Sequence, residues 1–189
     1  IKDDILYIKT ENSRKLLSEV SSKFYEKKPE NLIAVTGTNG KSSIVNFYFQ
    51  ILNINKVKGF LDPKEGDALY SYAKQYSISG SCLEIGSYCG KSAVYLGMAV
   101  KENGQKLYSV DHHKGSEEQQ PGEEYFDPDL KSKDGDGIDT LPFFLDTIEK
   151  SKLQSFVIPI VSTSEEANED LDINFDMIFI DGGHSEEAA

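Results

Sequence analysis

A glycine-rich segment near residue 40 could bind a phosphate group. Its candidate contacts are Gly37, Thr38, Asn39, Gly40, Lys41 and Ser42. In such a turn the backbone N–H groups point at an anion, the lysine adds a positive charge and the serine hydroxyl can reach Mg²⁺. The common nucleotide-binding pattern requires a glycine where this chain has Val35. The prediction of ATP binding therefore depends on a more restricted sequence pattern. The alternative is a turn that only joins a strand to a helix.

A second glycine-rich segment could bind a nucleotide-like cofactor. Its candidate contacts are Glu84, Gly86, Ser87, Tyr88, Gly90, Asp111 and His112. The two glycines let the backbone pass close to a ligand, and Asp111 ends the next apolar run, where an acid can accept hydrogen bonds from ribose hydroxyls. His112 and His113 adjoin that acid, and one of them could contact adenine or substrate, although a histidine in a loop is more often solvated. A purely structural turn is again the alternative.

Asp181 and His184 are the candidate catalytic residues. Asp181 ends an apolar run two positions before Gly183, so we expect it at the carboxyl edge of a sheet, where ligands bind in open α/β folds. His184 could act as a general base, because an imidazole titrates near neutral pH. Alternatively, Asp181 only caps a helix that begins near Ser185.

Alternating strands and helices must position these residues. The sequence predicts strands over 82–85, 106–110, 156–161 and 177–180, and helices over 13–25, 62–76, 92–100 and 141–150. This order indicates an α/β fold with a mostly parallel sheet and helices on both faces. The run from Met177 to Ile180 is apolar throughout, so we expect that strand to be buried on both sides. Residues 112–139 form an acidic loop, which we expect to be functional or disordered.

The charge balance excludes some classes of partner. The 189 residues include 20 basic and 32 acidic ones, for a net charge of −12, so we expect no binding to nucleic acid or to anionic membranes. No apolar run approaches the roughly 20 residues that span a bilayer. The two cysteines, Cys82 and Cys89, cannot form a metal quartet or a disulfide framework. We therefore expect a cytoplasmic protein with reduced thiols.

The distribution of charge predicts two parts. Residues 1–55 hold 8 basic and 6 acidic residues, whereas residues 56–189 hold 12 basic and 26 acidic ones. The net charges are +2 and −14, and such a shift marks a boundary. We expect the apolar run Leu32–Val35 to add an edge strand to the second sheet, because about 55 residues with one strand form a marginal core by themselves.

The octapeptide Thr-Gly-Thr-Asn-Gly-Lys-Ser-Ser, residues 36–43, resembles the ATP loop of Mur ligases and folylpolyglutamate synthetases. The lead-in over residues 12–29 is similar to that of muramoyl-tripeptide synthetases. This resemblance covers about residues 1–55 and implies ATP binding. The magnesium-binding Glu and His of such a ligase, its modified Lys and its amino-acid domain are not found downstream, so ligation is not implied.

Residues 83–94, Leu-Glu-Ile-Gly-Ser-Tyr-Cys-Gly-Lys-Ser-Ala-Val, resemble the first motif of class I S-adenosylmethionine (SAM) methyltransferases, especially small O-methyltransferases of the catechol type. Residues 111–122 and 179–184 are similar to a group of bacterial methyltransferases. The resemblance covers about residues 57–189 and implies a Rossmann-like fold, with Glu84 and the 86–90 loop at the methionine part of SAM and Asp111 at its ribose. It also implies that Asp181, with His184, could ligate a divalent metal such as Mg²⁺, which lowers the pKa of an acceptor hydroxyl.

The same resemblance implies a seven-stranded sheet, of which this sequence supplies the first four strands. We therefore expect an incomplete sheet with an exposed edge. The leading hypothesis is a SAM-dependent methyltransferase that acts on an oxygen or nitrogen of a small-molecule acceptor. The alternatives are an ATP-binding, ligase-like fragment and a non-catalytic α/β fragment that binds neither ligand.

Overall fold

The computed structural model describes residues 11, 12, 14–16, 19, 23, 54–135 and 137–183. The chain divides into two compact units, residues 1–44 and 45–189. The predicted strand over Leu32–Val35, the glycine-rich segment over 37–42 and His184 lie outside the described residues. The addition of Leu32–Val35 to the second sheet therefore stays a prediction.

The described residues of the first unit agree with the predicted helix over 13–25. Arg14, Lys15, Leu16, Glu19 and Lys23 are helical. The Oδ1 atom of Asn12 accepts a hydrogen bond from the backbone N–H of Lys15 at 3.0 Å. An asparagine in this position satisfies one of the N–H groups that the first turn of a helix leaves unpaired, so it marks where this helix begins.

Four parallel strands form the sheet of the second unit. They are β1 (Ser81–Ile85), β2 (Leu107–Val110), β3 (Val157–Ile160) and β4 (Phe175–Ile180). Their order is β3-β2-β1-β4. Ile85 is in register with Val110 and with Ile180, and Val110 is in register with Ile160. The loops after all four strands therefore begin at one edge of the sheet, and the predicted parallel α/β fold is confirmed.

Helix α1 (Pro63–Tyr76) begins at a capping box. The backbone N–H of Lys64 donates to Asp62 Oδ1 at 2.8 Å, and the backbone N–H of Asp62 donates to Glu65 Oε2 at 3.1 Å. Pro63 fits the first turn because its missing N–H is not needed there. The sequence predicted this helix with Asp62 as its cap, and the structure confirms it.

Helix α2 (Lys91–Asn103) is central to the core, and its residues 92–100 are all buried. Gly66 lets α1 approach it closely, since a Cβ atom at Gly66 would lie 2.2 Å from Cε2 of Tyr95. At the other end Gly104 has φ +73°, and the N–H of Gln105 donates to the carbonyl of Val100 at 2.8 Å. This is a glycine-terminated helix cap.

Helix α3 (Leu141–Lys150) has the predicted bounds and completes the main core. Phe144 and Ile148 belong to the same buried cluster as Cys82 of β1 and Leu107 of β2. Both cysteines of the chain are buried and free. Burial raises the pKa of the Cys89 thiol to about 12, so this cysteine is not a reactive thiolate at neutral pH.

The end of the sheet differs from the sequence expectation in two respects. The expectation that β4 is buried on both sides is wrong, because Ile178 and Ile180 are 54% and 71% exposed while Met177 and Phe179 pack against the core. An unpredicted seven-residue helix, α4 (Ser164–Asp170), connects β3 to β4. This short, acidic helix buries only Ala167. No helix among the described residues is long and apolar enough to cross a membrane.

The acidic loop has a defined structure in its described residues, 112–135 and 137–139. It contains 3₁₀ turns at Glu117–Gln119 and Pro128–Leu130. Leu130 and Ile138 pack with Cys89 in a small apolar cluster that is separate from the main core. The loop is thereby attached to the turn between β1 and α2.

Candidate functional site

A cavity of about 1160 Å³ opens at the edge where the strands end. Its walls include the turns that follow the four strands, at residues 86–88, 111–112, 162–165 and 181–183. Residues 58–61 and parts of the acidic loop complete it. The chain runs from β1 to β2 and β3 on one side and returns to β4 on the other. The cavity therefore lies where the strand order reverses, which is the usual ligand site of open α/β sheets.

The turn after β1 requires glycine at position 86. Gly86 has φ +87°, and a Cβ atom there would lie 2.2 Å from the backbone carbonyl oxygen of Asp181. The turn therefore passes directly beside the end of β4, and a side chain would prevent this approach. Gly90 has φ +88° and caps the N-terminus of α2. The observed close approach is to the chain itself, so contact of either glycine with a cofactor stays a prediction.

Asp111 holds the same turn in place. Its Oδ2 accepts hydrogen bonds from the backbone N–H groups of Ser87 and Tyr88, both at 2.8 Å, and its Oδ1 accepts one from His113 at 2.7 Å. The Ser87 hydroxyl also donates to Oδ2 at 3.4 Å, so any remaining acceptor position for a ligand is on Oδ1, which has one partner. Asp111 also lines the cavity. Its predicted contact with a ribose is still a prediction, and the structure adds the role of an anchor for the turn.

Glu84 lies beneath the turn rather than on the cavity wall. Its side chain is fully buried, and the hydroxyl of Ser109 donates to Oε2 at 2.6 Å. Among the described residues, Oε1 is buried without a hydrogen-bond partner. Burial raises the pKa of Glu84 to about 7, although hydrogen bonds from Ser109 and Ser92 act in the opposite direction. A buried acid that titrates near neutral pH is typical of functional sites.

The two adjacent histidines lie in different environments. His112, the predicted contact, is exposed on the cavity wall, and its Nδ1 accepts a hydrogen bond from the backbone N–H of Lys114 at 3.0 Å. His113 is buried, and its Nδ1 lies 2.8 Å from the hydroxyl oxygen of Thr140. Burial lowers the pKa of His113, which favours the neutral ring. His113 thus attaches the acidic loop to the start of α3, while the contact of His112 with a ligand stays a prediction.

Asp181 is exposed and lines the cavity at the end of β4. Its backbone N–H donates to the carbonyl of Ile85 at 2.8 Å, which fixes the end of β4 beside the glycine-rich turn. In the part of the chain that the structure describes, no three His, Cys, Asp or Glu residues are grouped to hold a metal ion. The pairing of Asp181 with His184 and the alternative helix cap at Ser185 fall partly outside that part, so both stay predictions.

A second wall of the cavity lies beside the glycine-rich turn and was not predicted from the sequence. Lys58 lines the cavity, and its Nζ lies 2.5 Å from Oδ2 of Asp127 in the acidic loop. The ring of Phe60 lies 5.8 Å from that of Tyr88 and 5.4 Å from that of Tyr125, measured between centroids. Local spacing could not predict the contacts with the acidic loop, because Lys58 and Phe60 precede Asp127 and Tyr125 by more than 60 positions.

The fold and the site together define an α/β protein of the nucleotide-cofactor-binding class. A glycine turn follows the central strand, an acid follows the next strand and a cavity opens between them. Residues 83–189 match the family described as "Methyltransferase domain". The match covers more than half of the chain, so the chain belongs to this methyltransferase family. The predicted cofactor residues and both predicted catalytic residues lie within the matched range.

Solved structures of methyltransferases are similar to this chain at low sequence identity. An O-methyltransferase from Bacillus cereus in complex with SAH is 16% identical, with a TM-score of 0.47, over 88% of this chain and 60% of that protein. The SAH-bound methyltransferase PaMTH1 from Podospora anserina is 14% identical, with a TM-score of 0.48, over 94% of this chain and 62% of that protein. The chain spans about three fifths of the length of these two proteins.

Mur ligases match a shorter part of the chain. The UDP-N-acetylmuramoyl-L-alanyl-D-glutamate--2,6-diaminopimelate ligase of Rickettsia prowazekii is 48% identical over 56 residues, which are 30% of this chain and 11% of that protein. The UDP-N-acetylmuramyl-tripeptide synthetase of Treponema denticola is 38% identical over 84 residues, which are 43% of this chain and 14% of that protein. The predicted resemblance to these ligases is confirmed for part of the chain, which spans less than a sixth of their length.

Proposed function

We propose that the protein binds SAM in the cavity and transfers its methyl group to an oxygen or nitrogen of a small-molecule acceptor. One observation carries this proposal: the glycine-rich turn, Asp111 and Asp181 line one cavity and all belong to the residues that match the methyltransferase family. The net charge of −12 favours a small acceptor over nucleic acid or an anionic membrane. The two free cysteines support a cytoplasmic location.

The residues around the turn fit the chemical groups of SAM. Gly90 leaves the N-terminus of α2 without a side-chain cap, and the positive end of a helix favours a carboxylate. Asp111 retains acceptor capacity for a ribose hydroxyl. When bound, SAM supplies a sulfonium methyl group, and the contribution of the protein is to hold the acceptor in line with it.

Asp181 and His184 are our proposed residues on the acceptor side. The exposed carboxylate of Asp181 could help hold Mg²⁺, which would lower the pKa of an acceptor hydroxyl. In that arrangement the remaining ligands come from the acceptor, from water or from residues beyond the described ones. Alternatively, His184 takes the proton of the acceptor as a general base. Activity that is abolished by EDTA and restored by Mg²⁺ would favour the first role.

Calorimetric titration with S-adenosylhomocysteine (SAH) tests the proposed cofactor site. We expect saturable binding by the unmodified chain and about tenfold weaker binding by Asp111→Asn, because hydrogen bonds to a charged acceptor are the stronger ones. Asp146→Asn is the matched control, since Asp146 lies on α3 and pairs with Lys150. This variant should bind SAH like the unmodified chain. The proposal fails if a folded, unmodified sample binds no SAH.

A second proposed activity is the binding of Mg-ATP by the segment over residues 37–42. It is supported by the octapeptide at residues 36–43 and by the 48% identity to the Rickettsia prowazekii ligase. The candidate residues are Gly37, Thr38, Asn39, Gly40, Lys41 and Ser42, all outside the described residues. Because the chain spans 11% of that ligase, the proposal is limited to nucleotide binding. Titration with Mg-ATP in the absence of SAH examines this activity separately.

A further inference from the structure

Two distant segments of the second unit meet at the mouth of the cavity. The first consists of residues 58–62, which lead into α1, and the second is the part of the acidic loop from residue 115 to residue 129. The Nζ atom of Lys58 lies 2.5 Å from Oδ2 of Asp127 and 2.8 Å from Oδ2 of Asp129. These contacts join residues that are 69 and 71 positions apart. Lys58, Asp127 and Asp129 are termed the clasp below.

A contact between aromatic rings joins the same two segments. The rings of Phe60 and Tyr125 meet edge to face, with centroids 5.4 Å apart. Phe60 is 68% exposed and Tyr125 is 45% exposed, so this contact buries little apolar surface. The segment before α1 is held independently, because Lys91 Nζ donates to the carbonyl of Gly59 at 3.3 Å and Ile54 is buried in the main core. The segment before α1 therefore does not depend on the loop for its position.

The acidic loop is anchored at its ends and is weakly anchored between them. At the ends, His113 contacts Thr140, and Leu130 and Ile138 pack in the small apolar cluster. From residue 115 to residue 129 no residue is buried, and Phe126 packs partly against that cluster. The ion pairs of the clasp are the only ones in the described structure that connect this part of the loop to another element.

The two carboxylates of the clasp need the positive charge of Lys58 to lie close together. Asp127 and Asp129 carry like charges two residues apart, and Lys58 is positioned between their carboxylates. The side chains of Lys58 and Asp127 are 32% and 29% exposed, so water screens this pair less than a fully exposed one. The hydrogen bond from Lys58 lowers the pKa of Asp127. Without Lys58, the two carboxylates would repel each other without a cation between them.

We propose that Lys58 is a positioning residue that fastens the acidic loop across the mouth of the cavity and thereby slows the release of bound cofactor. This inference rests on the proposed function, because it requires a cofactor in this cavity. Loops that close over a ligand commonly set the rate of its release. A closure that depends on partly exposed ion pairs weakens as salt rises, since the Debye length falls from about 10 Å at 0.1 M to about 3 Å at 1 M.

The rate of SAH release, measured by surface plasmon resonance at low and at high salt, tests this role. We expect Lys58→Met to release SAH about threefold to tenfold faster than the unmodified chain at low salt. High salt should accelerate release from the unmodified chain and have little effect on Lys58→Met. Lys58→Arg keeps the positive charge and should restore slow release. Equal rates and equal salt dependence for the unmodified chain and Lys58→Met would overturn the proposal.

Lys150→Met is the matched control for this experiment. It removes an ion pair of similar length, 2.6 Å, between Lys150 and Asp146 on α3. Neither residue lines the cavity. Release of SAH from this variant should equal that from the unmodified chain. If Lys150→Met accelerates release as much as Lys58→Met does, the effect comes from net charge and the proposal is overturned.

A measurement without ligand separates this proposal from the proposed function. In Lys58→Met, the amides of Tyr125 and Phe126 should exchange hydrogen for deuterium about threefold to tenfold faster, while those of residues 92–100 in α2 stay unchanged. If the unmodified chain binds no SAH, the proposed function fails. The exchange data would still test whether Lys58 holds the acidic loop in place. Unchanged exchange at both loop amides, or faster exchange throughout α2, would overturn a positioning role for Lys58.

Discussion

The two walls of the cavity are built in different ways. The wall with Gly86, Ser87 and Asp111 comes from one continuous β-α-β unit, residues 81–111. The second wall joins Lys58 to the acidic loop through contacts that span 69 and 71 residues. The geometry of the first wall follows from local turn conformation, and that of the second follows from tertiary packing. A sequence motif can therefore identify the first wall, but only the structure shows which residues form the second wall.

The largest expected effect concerns the first wall. In Gly86→Ala, the new Cβ would lie 2.2 Å from the carbonyl oxygen of Asp181, at φ +87°. We expect the free energy of unfolding to fall by about 3 kcal/mol or more, because backbone strain and a steric clash both contribute. Gly104→Ala is the control: φ is +73°, but nothing lies within 4 Å of the added Cβ, so the expected loss is about 1 kcal/mol. Urea unfolding measures both losses, and equal values would contradict the close approach.

An intermediate effect concerns the acid beneath this wall. Burial raises the pKa of Glu84 from 4.5 to about 7, so the folded state binds this proton more tightly than the unfolded state. The resulting stabilisation is fully present below the unfolded pKa and is lost as the pH rises through 7, by about 3 kcal/mol in total. Glu84→Gln stays neutral and should remove this part of the pH dependence.

Urea unfolding of both proteins between about pH 5 and pH 8 measures this difference. Other groups, including the buried His113, titrate in both proteins, so subtraction of the two curves isolates Glu84. Parallel curves for the unmodified chain and Glu84→Gln would show that the acid is not desolvated as the structure indicates.

The smallest expected effect concerns the second wall. Phe60 is 68% exposed, so Phe60→Ala should lower the free energy of unfolding by less than about 1 kcal/mol. Phe144 is the matched control because its ring has the same size and is fully buried, and Phe144→Ala should cost about 3 to 5 kcal/mol. A loss at Phe60 as large as that at Phe144 would place the second wall in the folding core and remove the contrast between the walls.

Local patterns predicted most elements of the second unit. Helix α3 has the predicted bounds, and the Asp62-Pro63 start of α1 is confirmed. Helix α4 was missed because it buries only Ala167 and so lacks an apolar period, although Thr163 and Glu166 form a capping box that could have revealed it. The apolar run of β4 was misinterpreted, because a sequence does not show which face of a strand its neighbours cover.

The candidate site was predicted as a set of residues without their partners. Asp111 was expected to face a ribose, and its position at the cavity agrees with that prediction, but its bonds to Ser87 and Tyr88 depend on the turn geometry. Glu84 was expected near the methionine part of SAM, and this contact stays a prediction; its burial beneath the turn could not be read from the sequence. The pairing of Lys58 with Asp127 requires knowledge of the whole fold, since no periodicity links residues 69 positions apart.

The central claim is that the first wall of the cavity binds SAM. A chemical-shift titration of the ¹⁵N-labelled protein with SAH tests it most directly, because the response is read residue by residue. We predict saturable shifts for the amides of Gly86, Ser87 and Tyr88 and no shift for Gly104, which lies at the far end of α2. Unchanged signals at the glycine-rich turn of a folded sample, or shifts confined to residues away from the cavity, would contradict the claim.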